Sequence, residues 1–265
     1  MDVIHLIARW FAGLGAGALF YLLTTGPIFL LEILLPRSRP TLEARLRGVT
    51  IVLVVTPLCG VAVAAALSPI HYRPLIPTSV WAGHPIIAVI CGLLIWDFCF
   101  YVMHRVQHKY LWRLHVVHHS IENVGAANNY NHPLQLALDQ LMVYVPIALL
   151  GLGPGTIVSL IAVVQGVYIH SATRIHFRPL RWLLNDNQFH RIHHSRAAAH
   201  RDKNFSLFFP FWDLVFGTAH MHEPDAWPET GVEGEPEEKT VIGYLLQPFR
   251  RPHANRSHEP AHSTS

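Results

Sequence analysis

The sequence predicts an all-α integral membrane protein, with four to five membrane segments and a cytoplasmic helical cap that carries three histidine boxes. About half of the chain is hydrophobic and only 14% is charged, against the roughly 25% that is usual in soluble domains. Several apolar runs reach the length of about 20 residues that a membrane helix needs. Histidine is unusually frequent, with 20 copies. The low charge and the apolar runs favour a chain that is largely embedded in a bilayer.

Five apolar runs are the candidate membrane segments. They cover residues 6–35, 49–67, 85–103, 134–152 and 155–170. The first run is long enough to be tilted or to break near Gly26-Pro27, and it lacks a small-residue cleavage site, so it is predicted to be an anchor and not a removed signal peptide. Only Gly153 and Pro154 separate the last two runs. These two therefore form a tight hairpin, which either crosses the bilayer or dips into it.

The runs divide the chain into three parts. Residues 1–84 are predicted to hold N-terminal membrane anchor helices. Residues 85–222 form a histidine-box domain with a membrane hairpin at 134–170. Residues 223–265 are polar and rich in proline, which predicts a flexible C-terminal tail.

Lys and Arg are distributed unevenly between the loops. Residues 36–48 carry four of them and residues 68–84 only one, whereas residues 104–133 carry three and residues 171–265 carry eleven. The positive-inside rule therefore predicts that 36–48, 104–133 and the C-terminal part face the cytoplasm. All histidine boxes then lie in one compartment. The net charge of +3 gives no reason to expect a nucleic acid as partner.

Three histidine motifs carry the chemistry. HxxxH stands at the end of the third apolar run, and HxxHH occurs twice after it. The motifs consist of His104 and His108, of His115, His118 and His119, and of His190, His193 and His194. Spacings of three and four place side chains on one helix face, so each motif presents converging imidazoles. Packing so many polar rings together is unfavourable unless a metal pairs with them, and the motifs therefore predict metal binding.

Eight imidazoles exceed the needs of one metal ion. A zinc ion takes about four ligands, so the boxes predict a pair of metals. Imidazole suits zinc, iron, copper and nickel, and the ligand type does not decide among them. Soluble di-iron bundles combine glutamates with ExxH motifs, whereas these three boxes contain no carboxylate.

The order HxxxH, HxxHH, HxxHH, with each box close to a membrane run, resembles the fatty acid hydroxylase/sterol desaturase superfamily. The stretch DKNFSLFFPFWDLVFGT, residues 202–218, is similar to the segment that follows the last box in that family. The resemblance covers roughly residues 90–220 and makes 85–222 a catalytic domain. It implies two non-haem iron ions that use O₂ to hydroxylate or desaturate a C–H bond of a lipid, such as a sterol or a fatty acyl chain. The sequence shows no flavin, dinucleotide or iron–sulfur motif, so the electrons are expected from a separate reductase, ferredoxin or cytochrome.

Three further histidines are candidates. His170 resembles a single His that many family members place before the last box, and it is predicted to be a ligand. Family members often carry Asn two residues later, where this chain has Ala172. His132 and His176 are possible additional ligands, with a core or supporting role equally open for His132.

Two carboxylates are predicted to support the ligands. Asp97 lies on one helical stripe with His104 and His108, so it is placed to accept the second N–H of a metal-bound imidazole and to fix its tautomer. The alternative for Asp97 is a capping role or a pair with an Arg of another span. Asp202 takes the same supporting role by resemblance to the family.

Two other classes of protein are alternatives. A metal transporter or storage protein would carry His and acidic residues along its spans to form a path, whereas the boxes cluster at one membrane face. A zinc-dependent membrane hydrolase would require a general base, and HExxH is absent from the sequence.

Overall fold

The computed structural model describes residues 3–56, 73–152, 157–221, 223 and 225–250. This part of the chain is helical, with isolated β-bridges and no extended strand. The α-helices are α1 (Val3–Leu34), α2 (Leu42–Thr50), α3 (Thr78–Ala82), α4 (Pro85–Tyr110), α5 (Trp112–His119), α6 (Pro133–Asp139), α7 (Val145–Leu149), α8 (Ile157–His170), α9 (Asn187–His193), α10 (Phe211–Val215) and α11 (Val241–Leu246). One π-helical turn, Ile51–Val55, continues α2, and another, Gln140–Tyr144, joins α6 to α7. The predicted all-α class is confirmed.

Two of the described helices are long and apolar enough to cross a membrane. They are Gly17–Leu34, within α1, and Pro85–Tyr110, which is α4. Both leave large apolar side chains exposed, such as Leu23 and Ile86, as a helix surrounded by lipid does. These two helices are consistent with a membrane protein. The helix α1 runs through Gly26-Pro27 without a break, so the alternative of a broken first span is wrong.

The other predicted segments are shorter or lie outside the described residues. Residues 57–67 of the second apolar run are outside the described part. The hairpin is seen as two apolar arms, Pro133–Leu149 and Ile157–His170, and the residues 153–156 between them are not described. Each arm is shorter than the 18 residues or more of a spanning helix.

The buried apolar side chains form two clusters. The larger lies between α4, the hairpin and residues 207–208, and it includes Trp96, Val143 and Ile169. The smaller joins the π-helical turn after α2 to α5 and α11, where Ile51 and Tyr244 are fully buried. The histidine boxes lie on helices that these clusters hold together.

Glu32 ties α1 to the loops beside the boxes. Its side chain is fully buried, and one oxygen accepts hydrogen bonds from the backbone N–H groups of Ala126 (2.8 Å) and Ala172 (2.9 Å). The other oxygen pairs with Arg45 at 3.1 Å. Ala172 thus contributes its backbone N–H to this contact.

The prediction of a flexible tail over residues 223–265 is wrong for 225–250. Tyr244 in α11 is buried and donates its hydroxyl to the carbonyl of Asn131 at 2.6 Å. Glu237 pairs with Arg47 at 2.6 Å. The polar composition of this segment reflects specific ion pairs with the helical body. Residues 251–265 lie outside the described part.

Candidate metal centre

Nine buried or half-buried imidazoles meet where four helices converge. They come from the end of α4, from α5, from the last residue of α8 and from α9 with the residue that follows it. The helix α9 begins at Asp186, whose carboxylate accepts the N–H groups of Gln188 and Phe189 at 3.1 and 3.0 Å. This N-cap fixes the start of the short helix that carries the third box.

The imidazoles form two adjacent groups. Cluster A consists of His104, His108, His115, His119 and His193, and cluster B of His118, His170, His190 and His194. In each cluster the ligand atoms lie within 4.8 Å of one another. The clusters touch, since the ring of His119 stacks on that of His194 with centroids 4.5 Å apart. All eight box histidines and His170 are therefore brought together.

In cluster B, three ring nitrogens surround a fourth. The Nε2 of His170 lies 3.1 Å from that of His118, 3.0 Å from that of His190 and 3.2 Å from that of His194. The Nδ1 of His170 donates to the carbonyl of Gly166, and the Nδ1 of His118 donates to that of Tyr130. Because a carbonyl only accepts, the proton of each ring is at Nδ1. The Nε2 lone pairs of His118 and His170 therefore face each other.

Cluster A shows the same arrangement. Three pairs of Nε2 atoms are each 3.1 Å apart. The pairs are His104 and His115, His115 and His119, and His119 and His108. His104 donates its Nδ1 proton to the carbonyl of Phe205 at 2.8 Å, and His115 donates to Oε1 of Gln135 at 3.2 Å. The Nε2 atoms of His104 and His115 are thus opposed lone pairs, which repel unless a cation lies between them.

One further nitrogen of cluster A is unpaired. The Nδ1 of His193 donates to the carbonyl of Lys203 at 2.7 Å, so its Nε2 carries a lone pair. That Nε2 is buried without a hydrogen-bond partner among the described residues. A buried acceptor without a donor is costly, and a metal ion would satisfy it.

Protons do not relieve the opposed lone pairs. Burial and, to a lesser extent, the neighbouring His170 lower the pKa of His118 to about 3. Burial and the adjacent imidazoles also hold the pKa values of His115, His119 and His193 well below their usual range. The rings are therefore neutral near neutral pH, which is the form that binds metals.

The spacing fits metal ions. Two nitrogens that are each about 2.1 Å from one ion are about 3.0 Å apart at a right angle and about 3.4 Å apart at the tetrahedral angle. The observed separations of 3.0–3.2 Å within both clusters fall in this range. The donor set thus fits a metal in each cluster.

Asp202, which was predicted to support a ligand, lies beside His108. Its Oδ1 is 3.0 Å from Nδ1 of His108, so a carboxylate supports that ring. Asp202 and Asn204 both have positive φ values, of 55° and 60°. Asp and Asn adopt this left-handed conformation more readily than most residues. This backbone conformation explains why Asp and Asn stand at positions 202 and 204, at the start of the segment 202–218.

The predicted contact of Asp97 with an imidazole is wrong. Its carboxylate is fully buried and accepts the backbone N–H groups of Leu207 (2.7 Å), Phe208 (2.9 Å) and Phe209 (2.9 Å). The capping alternative is closer to what is observed, since the carboxylate accepts backbone N–H groups, and no Arg pairs with it among the described residues. Asp97 supports the metal centre indirectly, because it fixes the segment whose Phe205 carbonyl holds His104. Asp97 does lie on the predicted stripe of α4. Its partner, however, is the backbone of residues 207–209, whose position could not be predicted from the sequence.

Asp97→Asn is expected to unfold this segment partly. An amide cannot accept on both of its atoms, so at least one buried N–H loses its partner, at a cost of about 1–3 kcal/mol. We expect a lower melting temperature in detergent and about tenfold weaker metal binding, because the support of His104 is loosened. Asp225→Asn is the control, since Asp225 forms surface ion pairs with Arg37 and Arg178. Unchanged melting and metal content in Asp97→Asn would contradict this role.

The two other candidate ligands lie outside the clusters. His132 caps α6 by accepting the N–H of Leu134 at 3.2 Å, and its other nitrogen contacts the carbonyl of Leu245. His176 lies beside the backbone N–H of Arg178. His132 thus has the core role that was its alternative, and neither residue is part of a metal-binding group.

Sequence reasoning missed two supporting residues. Gln135 holds the tautomer of His115. Asp213 accepts the N–H groups of Phe205 and Ser206 at 2.8 and 2.9 Å, and so completes the support that Asp97 begins. Asp213 lies inside the family-like segment, and a carboxylate in such an apolar stretch was the available signal.

A cavity of about 440 Å³ opens onto both clusters. Its walls come from α1, α4, α6, α8 and the two π-helical turns, and they are mostly apolar. His104 and His115 of cluster A and His118, His170 and His190 of cluster B reach its surface. The volume lies within the range of about 300–1,000 Å³ typical of ligand pockets.

Known proteins resemble this chain over the same region. Residues 89–218 match the family model described as fatty acid hydroxylase. An ornithine lipid hydroxylase of Rhizobium tropici is 30% identical over 176 residues, which cover 62% of this chain and 50% of the relative. An alkylglycerol monooxygenase of Homo sapiens is 29% identical over 127 residues, or 46% of this chain and 28% of the relative. A putative methylsterol monooxygenase of Dictyostelium discoideum is 28% identical over 157 residues, which cover 52% of each chain.

The chain therefore spans only half, or less, of the length of the first relatives that it matches. No solved structure gives a significant match.

Proposed function

We propose that this chain, whose residues 89–218 match the family model described as fatty acid hydroxylase, is a membrane-bound oxygenase that hydroxylates a C–H bond of a lipid. The reaction consumes the lipid, one O₂, two electrons and two protons, and it yields the hydroxylated lipid and water. Desaturation is the alternative outcome, since it begins with removal of a hydrogen from the same kind of carbon. The relatives named as lipid hydroxylases or monooxygenases support this proposal.

The observation that carries the proposal is the cavity that reaches both histidine clusters. An apolar space of about 440 Å³ between helices suits a hydrocarbon chain, and five imidazoles at its end suit a reaction on that chain. Because α1 and α4 form part of its wall and are candidate membrane helices, a lipid would reach the cavity from the bilayer.

We infer that clusters A and B each hold one metal ion and that both ions are iron. When bound, two iron ions supply the power to oxidise an unactivated carbon with O₂. The residues of the chain keep the imidazoles neutral, fix their tautomers through backbone carbonyls and enclose the carbon in a dry cavity. A separate reductase, ferredoxin or cytochrome delivers the electrons.

The geometry argues against a metal transporter. A transporter would carry its ligands in series along the membrane helices. Here the nine imidazoles form two compact groups that share one cavity. Uptake of metal into vesicles without consumption of O₂ would favour the transporter instead.

The proposal is tested by comparing the lipids of a host that expresses the protein with those of a host that expresses the His190→Ala variant. We expect a hydroxylated or desaturated lipid only with the unchanged protein. Identical lipid profiles in well-aerated cells, with both proteins folded in the membrane, would contradict the proposal.

We also propose that the histidine boxes and the C-terminus face the cytoplasm. The loop after α1 and the loop after α8 lie side by side, since the N–H of Arg37 donates to the carbonyl of Ala172 at 2.7 Å. The loops rich in Lys and Arg therefore lie at one end of the helices, as the positive-inside rule requires.

This topology predicts the behaviour of a reporter that is fused after Ser265. A reporter that is fluorescent only in the cytoplasm should be active, and one that requires export should be inactive. The opposite pattern would overturn the topology and would move the electron donor to the other side of the membrane.

A further inference from the structure

One acidic side chain in the wall of the cavity takes no part in the metal centre. Asp139 is the last residue of α6, and its Oδ1 accepts a hydrogen bond from Nε2 of Gln107 at 2.9 Å. Within the part of the chain that the structure describes, Gln107 is its only hydrogen-bond partner. No Lys or Arg is among the described residues that line the cavity. The second carboxylate oxygen belongs to a side chain that lines the cavity, and it has no hydrogen-bond partner among the described residues.

An unpaired carboxyl group is costly in these surroundings. Burying a polar group without a hydrogen bond opposes folding, and apolar neighbours such as Leu136, Val143 and Trp96 line the same cavity. Ionisable residues at membrane depth are rare and usually serve a function. Asp139 thus needs a partner that the described residues do not provide.

The backbone around Asp139 is irregular. The π-helical turn Gln140–Tyr144 follows it directly, and Pro146, which has no N–H to donate, stands just beyond. Such π-helical turns occur frequently at functional sites. The second π-helical turn, Ile51–Val55, also borders the cavity through Val52 and Leu53. The two irregular turns of the described chain therefore line one space.

The residue that Asp139 contacts, Gln107, lies on α4 beside two of the candidate metal ligands. Gln107 precedes His108 and lies three residues after His104, and its side chain is buried. Gln107, Asp139 and His104 line the same cavity. A molecule that fills this cavity can therefore contact Asp139 and the imidazoles at the same time.

We propose that Asp139 determines specificity by binding a hydrogen-bond donor of the lipid, an N–H or O–H group located near the oxidised carbon. The inference rests on the proposed function and extends it by naming the substrate class. The substrate is a lipid whose polar donor group enters the cavity, and not a plain hydrocarbon chain. Gln107 acts as a positioning residue that holds the carboxylate toward the cavity.

The test measures equilibrium binding to the purified, metal-loaded protein in detergent, without turnover. The probes are hexadecanol, hexadecylamine and hexadecyl methyl ether, which share one chain length, while the ether accepts hydrogen bonds but cannot donate them. We expect the unchanged protein to bind the alcohol or the amine about tenfold more tightly than the ether, as one additional hydrogen bond allows. Asp139→Leu should abolish this preference, with Asp139→Ala in its place if the leucine variant does not fold.

Asp139→Asn separates the two kinds of donor. An amide oxygen still accepts a hydrogen bond from a hydroxyl, but it offers no charge to an ammonium group. If Asp139→Asn still prefers the alcohol to the ether, the natural donor is neutral. If Asp139→Asn no longer prefers the amine, the natural donor is a cation. Asp225→Asn is the control and should keep the preference, because Asp225 is also acidic but pairs with Arg37 and Arg178 and does not line the cavity. Equal affinities for the three probes, or a preference that persists in Asp139→Leu, would overturn the proposal. Because binding is read without O₂, this failure is distinct from a failure of the oxygenase proposal.

Discussion

His193→Ala and His118→Ala should each lower the metal content from two ions per chain to about one, and each should abolish turnover. His193 belongs to cluster A and His118 to cluster B, so each change removes a ligand from a different group. In each variant the cluster that contains the substitution loses one nitrogen that would bind its ion, and we therefore expect that cluster to lose the ion. The other cluster keeps all of its ligands. Elemental analysis of protein purified with saturating iron measures the content directly.

The control is His176→Ala, which should retain both ions and full turnover, because His176 lies outside the two groups. The double variant, with both His118 and His193 replaced, should bind less than one ion. A fully active protein with one ion or fewer would contradict the assignment of one metal to each cluster.

Gly166→Leu should block substrate binding while the metals stay in place. Gly166 lines the cavity one turn before His170, and a Cβ atom added there meets nothing within 4 Å. The new side chain therefore fills space that the lipid needs, and its backbone carbonyl can still accept the Nδ1 proton of His170. We expect turnover to fall by about 100-fold or more, because filling the cavity removes several kcal/mol of apolar contact with the lipid.

Iron content and melting temperature should remain close to those of the unchanged protein, since leucine favours a helix more than glycine does. Gly26→Leu is the control, because Gly26 also has open space around it but does not line the cavity. Normal turnover in Gly166→Leu would show that the lipid binds elsewhere.

Much of the metal centre could be predicted from local patterns. The spacing within each box determines which imidazoles share a helix face, and the structure brings together all nine residues that the sequence singled out as ligands. The division into two groups could not be predicted in this way. His118 and His119 are adjacent in sequence but belong to different clusters, because neighbouring residues on a helix point in different directions.

The supporting contacts depended on chain segments that are distant in sequence. Asp97 lies on the predicted stripe, but its partners are backbone N–H groups more than one hundred residues away. The C-terminal segment was misjudged for a related reason: its composition is polar, yet Glu237 and Tyr244 find specific partners on α2 and in the loop after α5. Composition describes the average of a segment, and these contacts depend on single residues.

The most direct test of the oxygenase proposal is the fate of isotopically labelled O₂. The iron-loaded protein, reduced by an artificial electron donor, is incubated with a lipid extract of its host under labelled O₂, and the products are examined by mass spectrometry. We expect a hydroxylated lipid that carries one labelled oxygen atom, or a desaturated lipid with labelled water, and neither product with His118→Ala. Product oxygen derived from solvent water, or no O₂-dependent product from fully iron-loaded protein, would contradict it.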